Sequence, residues 1–209
     1  MNLHLWLTFC FANLLTSLSP GPGALAAMNA GLAQGSRGGW RMVLGLQLAL
    51  LLQLLVVALG AGALLASSGR AFLALRWGGA AYLILLGLMQ LRAVFKHIQA
   101  NAPMDKTGWR IEGMVWRGVW VNLSNPKAIL FQAALVPHFI DLTRPLARQY
   151  LIIAVTMCLI DTLIMGAYAA LAARLAPWFA SERLARWRNL AFGLLFVGFG
   201  GALLSWQTG

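Results

Sequence analysis

Charge is scarce in this sequence, and acidic charge scarcest: 10% of its 209 residues are charged and only five are Asp or Glu. A soluble domain carries about a quarter charged residues, so a water-facing surface over the whole chain is excluded. Cysteine is nearly absent. Cys10 and Cys158 both lie in apolar runs, which excludes a disulfide framework and any metal-ligand spacing. His4, His97 and His138 are scattered, so no zinc or haem cluster is expected, and no cofactor. A Gly-x-x-x-x-Gly-Lys-[Ser/Thr] loop is missing, which argues against an ATP-driven pump in this chain. The apolar runs hold no His-x-x-x-His, Gly-x-Ser-x-Gly or cysteine pair. Enzymes need such groups in mutual reach, so the chain is not read as an enzyme. No Lys or Arg occurs before Arg37. The basic start of a signal peptide is therefore missing, although Ala24-Leu25-Ala26 mimics a cleavage site, and the first apolar run is read as a retained span.

What is present is apolar: 60% of the residues are hydrophobic, in runs at about 3–33, 43–66, 71–92, 115–139, 148–173 and 189–206. Each can cross a bilayer as a helix of roughly 20 residues. Runs such as Leu48-Ala49-Leu50-Leu51-Leu52 do not alternate as barrel strands must. The expected fold is an all-α integral membrane domain over 1–209 with six transmembrane helices. The net charge of +11 sits in short gaps between the runs, where it reads as a topology signal and not as a nucleic-acid surface. Arg37, Arg41, Arg92, Lys96, Lys106, Arg110, Arg117, Arg174, Arg183, Arg186 and Arg188 fall on one side, against Arg70, Arg76, Arg144 and Arg148 on the other. The richer side is cytoplasmic by the positive-inside rule, which places both termini in the periplasm. Trp6, Trp40, Trp77, Trp109, Trp116, Trp178 and Trp206 lie near predicted span ends, where an amphipathic ring is favoured.

The polar stretch from His97 to Glu112 divides the chain into halves of about 1–96 and 113–209, each with three runs. Three is odd, so equivalent halves would be oppositely oriented, as in inverted-repeat transporters. The first run of each half carries a proline-bearing break after Leu-Ser: Leu18-Ser19-Pro20-Gly21-Pro22 and Leu123-Ser124-Asn125-Pro126-Lys127. Proline removes a helical hydrogen bond and clashes with the preceding turn. The freed backbone groups cannot face lipid, where each costs several kcal/mol. A single proline is read as a simple kink; a matched pair of breaks points to a transport site. A helix restarting after Pro22 or Pro126 presents free N–H groups and a positive dipole end, which bind a carboxylate. Ser19 and Asn125 are the candidate caps, and proline suits the first turn.

Lys127 is the one cation read as lying in the interior of a predicted span, away from its ends. It can snorkel to an interface, neutralise a substrate carboxylate, or pair with Asp161. Asp161 lies deep in the fifth run between Ile160 and Thr162. An acid at that depth costs about 2.5–3.5 kcal/mol, so it is expected to face the bundle interior. There it can bind an ammonium, carry a proton, or alternate between the two. Among the amides, Asn13, Asn29 and Gln53 are read as interhelical hydrogen bonders. Gln47, in Gly45-Leu46-Gln47, and Asn122, beside the second break, are candidate ligand contacts. Gly78-Gly79-Ala80-Ala81-Tyr82 and Gly198-Phe199-Gly200-Gly201-Ala202 are small-residue packing faces, and Gly31 with Gly35 has a spacing that admits a homodimer.

At the two break motifs, Leu18-Ser19-Pro20-Gly21-Pro22-Gly23 and Asn122-Leu123-Ser124-Asn125-Pro126-Lys127-Ala128, the chain resembles the LysE/RhtB family of amino-acid exporters. Trp77-Gly78-Gly79-Ala80-Ala81-Tyr82-Leu83, Pro137-His138-Phe139 and Asp161 agree with it. The resemblance covers essentially the whole chain. It is nearest to the homoserine and homoserine-lactone efflux branch, through Gly45-Leu46-Gln47 and the stretch from Asp161 to Tyr168. It implies a bacterial inner-membrane antiporter, driven by the proton gradient, that exports small neutral amino acids and derivatives such as homoserine, homoserine lactone and threonine. Lysine, arginine, leucine or cysteine-type substrates are the alternatives inside the family, and a passive channel the alternative outside it. The implied substrate site comprises Ser19, Pro20, Gly21, Pro22, Gln47, Asn122, Asn125, Pro126, Lys127 and Asp161, with Asp161 as the proton-coupling residue, no metal, and lipid as the surrounding partner.

Overall fold

Apolar runs of this length satisfy their backbone internally only as helices or closed barrels, and these runs are helical. The computed structural model describes residues 3–67, 69–95, 111–141, 143–172, 174 and 181–205. In chain order the described elements are α1 (Leu3–Leu18), α2 (Pro22–Ser67), α3 (Gly69–Phe95), α4 (Met114–Leu123), α5 (Pro126–Leu135), a 3-10 turn (Val136–Phe139), α6 (Leu146–Ala170) and α7 (Glu182–Ser205). Most of the expected divider between the halves, 97–110, lies outside the described residues, as do Trp178 and Trp206.

The first predicted run, 3–33, corresponds to α1 and the start of α2, and the fourth, 115–139, to α4, α5 and the 3-10 turn. The expected gap at 34–42 is the main difference. It is helical on both sides of Gly35, which alone leaves helical geometry at φ 63, ψ −160. An L side chain is disfavoured at that positive φ, so glycine reverses the path in one residue where a loop of several was expected. A straight helix of 46 residues would be about 69 Å long, more than twice the hydrocarbon thickness of a bilayer. The interruption at Gly35 divides α2 into two helical parts. α7 begins at Glu182, seven residues before the predicted run at 189. Hydropathy finds only the apolar part of a helix, and Glu, Arg, Leu and Ala extend it into the polar zone.

Long neighbours pack side by side: α3 along α7, and α2 along both α4 and α6. The α2–α4 crossing is close enough that a Cβ on Gly45 would stand 2.0 Å from the Val115 carbonyl oxygen. Gly31 is equally committed within the chain, against the Ala169 carbonyl of α6 at 2.1 Å. One core gathers Phe9, Leu50, Leu83, Phe139, Ile153, Met157 and Phe196, with Phe9 and Phe139 edge to face at 5.2 Å. A second, built from smaller side chains, gathers Ala27, Ala30, Met42, Leu46, Met114 and Met165. The outer surface is apolar, with Leu59 67% and Leu163 71% exposed, while Asn13, Gln53, Asn122, Gln132 and Gln149 are buried.

Candidate functional site

Both helix breaks open on one cavity in the seam between the two cores. At the first, α1 stops at Leu18 and α2 starts at Pro22. A helix C-terminus leaves carbonyls without partners, and here they are met from other elements. The Lys127 ammonium donates to the Thr16 carbonyl at 2.7 Å and, more closely, to the Ser19 carbonyl. The Tyr168 hydroxyl donates to the Leu18 carbonyl at 2.8 Å. A cation at a helix C-terminus also meets the negative end of the dipole. Lys127 therefore does not snorkel; it pins the end of α1, and its ammonium stands 6.0 Å from the centre of the Phe196 ring. α2 restarts with the Gly21 carbonyl accepting from the Leu25 N–H at 3.1 Å, so Gly21 caps it and Ser19 does not. Ser19 lies two residues upstream, and its hydroxyl accepts from Gln90 at 3.3 Å.

At the second break, Asn125 is the cap that its position predicts. Its side-chain oxygen accepts from the Lys127 N–H at 3.1 Å, and Pro126 occupies the first turn of α5. Asn122, at the end of α4, donates to the Leu46 carbonyl at 2.9 Å, and its own carbonyl accepts from Gln53 at 2.8 Å. Gln53 in turn accepts from Gln132 at 2.9 Å. Gln53 is thus the interhelical hydrogen bonder that was expected, and Asn122 braces α4 against α2.

Asp161, on α6, is held by two donors. The Ser17 hydroxyl reaches one carboxylate oxygen at 3.0 Å and the Gln47 amide reaches the other at 2.7 Å. The charges of Asp161 and Lys127 face the same cavity within electrostatic reach, but Lys127 spends its hydrogen bonds on carbonyls and Asp161 on Ser17 and Gln47. Lysine has three donors, and two of them have acceptors among the described residues.

Of the ten residues singled out in the sequence, Ser19, Gly21, Asn122, Asn125, Lys127 and Asp161 line the cavity. Gln47 stands behind the wall, holding Asp161. Pro20, Pro22 and Pro126 are off the wall and act on the path of the backbone. The cavity offers about 70 Å³ to the centres of water molecules, several times what one water needs. Sequence reasoning missed Thr16, Ser17 and Gln132 as wall residues and took Asn13 for a structural amide; all four line the cavity. For Asn13 and Ser17 a signal existed. They are four residues apart on the buried face of α1 that also carries Phe9, and polar side chains on the buried face of an apolar helix need a partner. Gln132 had no comparable signal beyond being the one amide in α5.

The comparisons with known proteins agree with this architecture. Residues 14–207 match the family model described as LysE type translocator. The chain is 39% identical over 206 residues to the homoserine/homoserine lactone efflux protein of Salmonella typhi, covering 98% of each. It is 36% identical over 204 residues to an uncharacterized membrane protein of Vibrio cholerae, covering 96% of each. No solved structure matches it. The match runs through both helix breaks and Asp161, and the chain belongs to the LysE family of translocators: it is a membrane transporter and not an enzyme.

Proposed function

We propose that the chain exports small neutral amino acids and their derivatives, homoserine, homoserine lactone and threonine, across the bacterial inner membrane as a proton-coupled antiporter. The observation that carries this reading is the pairing of one acid and one cation in a cavity bounded by two helix N-termini. A zwitterion such as homoserine or threonine needs that set, and the lactone, which has no free carboxylate, uses the acid alone. The zwitterion's carboxylate is drawn to the starts of α2 and α5 and to the third donor of Lys127. Its ammonium is drawn to Asp161, which also carries the proton in the return half of the cycle. The substrate named for the Salmonella relatives supports the choice of a neutral amino acid over a cationic one. A lysine-like side chain would also need a second acid, and Asp161 is the one acid on the wall among the described residues.

In this reading the chain is an inverted repeat of three spans and three. Each half opens with a helix broken by proline, α1 with the first part of α2 in one half and α4 with α5 in the other. The halves rock about the cavity to expose it first to the cytoplasm and then to the periplasm, with both termini on the periplasmic side. The test is efflux from preloaded proteoliposomes with labelled homoserine, threonine and lysine, with and without an imposed proton gradient. Gradient-stimulated efflux of homoserine or threonine is expected. Transport of lysine alone would overturn the substrate, and transport of none by folded protein would overturn export of amino acids.

A further inference from the structure

Two amides on the cavity wall have polar atoms that no described residue satisfies. Asn13 is 3% exposed and Gln132 is 1% exposed. The Asn13 side-chain nitrogen and the Gln132 side-chain oxygen are buried without hydrogen-bond partners, and both residues line the cavity. Polar atoms without a protein partner in a cavity wide enough for water are places where a polar group of a ligand can bind in place of water.

The polarity of Gln132 is set from outside the cavity. The backbone carbonyl of Asn122 can only accept, so Gln53 must turn its nitrogen to it. That leaves the Gln53 oxygen for the Gln132 nitrogen, and the Gln132 oxygen remains as an acceptor. The Asn13 side chain makes no hydrogen bond among the described residues, so its amide is free to present the nitrogen as a donor. One cavity thus offers an unused donor and an unused acceptor, which is the complement of a hydroxyl group.

Their position follows from helix geometry. Asn13 is one turn from Ser17, which holds Asp161. Gln132 is five residues along α5 from Lys127, about 7.5 Å of rise. Met157 and Phe131, which also line the cavity, lie at the same remove, Met157 one turn from Asp161 and Phe131 beside Gln132. The wall therefore has a charged end for the two ionic groups of an amino acid and, about one helical turn away, an apolar end carrying one donor and one acceptor.

We infer that Asn13 and Gln132 read the side chain of the exported amino acid and select one that bears a hydroxyl. This rests on the amino-acid export proposed above. Asn13 donates to the hydroxyl oxygen and Gln132 accepts the hydroxyl proton. An alkyl side chain of equal length leaves both amides unpaired. A lactone ring has only an acceptor oxygen at that end and satisfies Asn13 alone, and it also lacks the free carboxylate that the charged end binds.

The experiment compares efflux of homoserine and of 2-aminobutyrate, the same skeleton without the hydroxyl, from proteoliposomes of the wild type, Asn13→Leu and Gln132→Met. The wild type is expected to prefer homoserine by about tenfold or more, the discrimination of one well-placed hydrogen bond left unpaired. Asn13 donates no hydrogen bond to the protein, so Asn13→Leu is expected to keep its thermal stability while that ratio falls several-fold. Gln132→Met also removes the partner of Gln53; it is expected to lose the same preference and to melt earlier. A wild type that carries both compounds equally, an Asn13→Leu variant that keeps the full preference, or an Asn13→Leu variant that fails to fold would each overturn the assignment while amino-acid export stands. Transport of neither compound by the wild type would bring down the export reading itself.

Discussion

Lys127 and Asp161 hold opposite charge in one cavity by different means, and substitutions separate their roles. The Lys127 ammonium serves the carbonyls at the end of α1. Lys127→Met leaves them without a donor, at a cost of about 1–3 kcal/mol for each buried group. It is expected to lower the melting temperature in detergent as well as abolish efflux. Asp161→Asn is a cleaner change, because Gln47 has an unused buried oxygen beside the nitrogen that now meets Asp161. Turning that amide over presents the oxygen to the new Asn nitrogen, so the fold is expected to persist. Gradient-driven efflux in Asp161→Asn is expected to fall at least about tenfold, the scale of one general acid–base group lost. Retention of gradient stimulation in the proteoliposome assay would remove Asp161 from proton coupling.

Helix crossings and the α5–α6 connection are where single residues decide an element. Gly45 and Gly118 let α2 and α4 approach until added Cβ atoms would stand 2.0 Å from the Val115 oxygen and 2.5 Å from the Met42 oxygen. Gly45→Val forces backbones apart and is expected to cost about 1–3 kcal/mol. Gly60→Val, with nothing within 4 Å of its Cβ, is the matched control in the same melting experiment. Before α6, Gln149 exchanges two hydrogen bonds with the backbone of Asp141, both at 2.8 Å. The Asp141 carboxylate accepts from the Thr143 hydroxyl at 2.6 Å and pairs with Arg144 at 3.1 Å. The Thr143 hydrogen bonds, with Arg144 adding to them, hold this carboxyl below its ordinary range. A depressed carboxyl stabilises the fold above its unfolded pKa, about 3.9, and loses that contribution as pH falls through the folded value. The stability gap between wild type and Asp141→Ala is therefore expected to be constant from about pH 5 to 8 and to close below about pH 4. A melting series against pH checks it.

The outer surface is apolar while several amides and hydroxyls are buried among the two apolar cores, an arrangement that a bilayer favours and water penalises. Polar side chains gather along the two breaks because backbone groups there need partners other than their own helix. The asymmetry of the basic residues gives a topology that can be measured. Single cysteines in a Cys10→Ser/Cys158→Ser background, placed at Ser36 and at Thr143, are expected to react with an impermeant thiol reagent on opposite faces of oriented membranes. Thr143 is expected on the periplasmic face. Labelling of both from one face would refute the inverted arrangement of the halves.

Composition and the spacing of apolar runs were enough to establish an all-helical membrane chain, because in lipid only internally bonded backbone survives. Proline chemistry marked where α1 gives way to α2 and α4 to α5, and it found the cap at Asn125, since these are local properties of a few consecutive residues. The one-residue reversal at Gly35 was hidden, because a glycine among polar residues reads equally as a loop. The partners of Lys127 were open in the sequence between a lipid interface, a substrate and Asp161. Tertiary structure chose a fourth, the carbonyls of Thr16 and Ser19, 111 and 108 positions away. The same holds for Gln47 and Ser17 on Asp161, and for Asn13 and Gln132 facing one cavity. A sequence displays which polar groups must be buried, but which of them meet depends on how separate helices cross, and that is set by packing over distances no local pattern encodes.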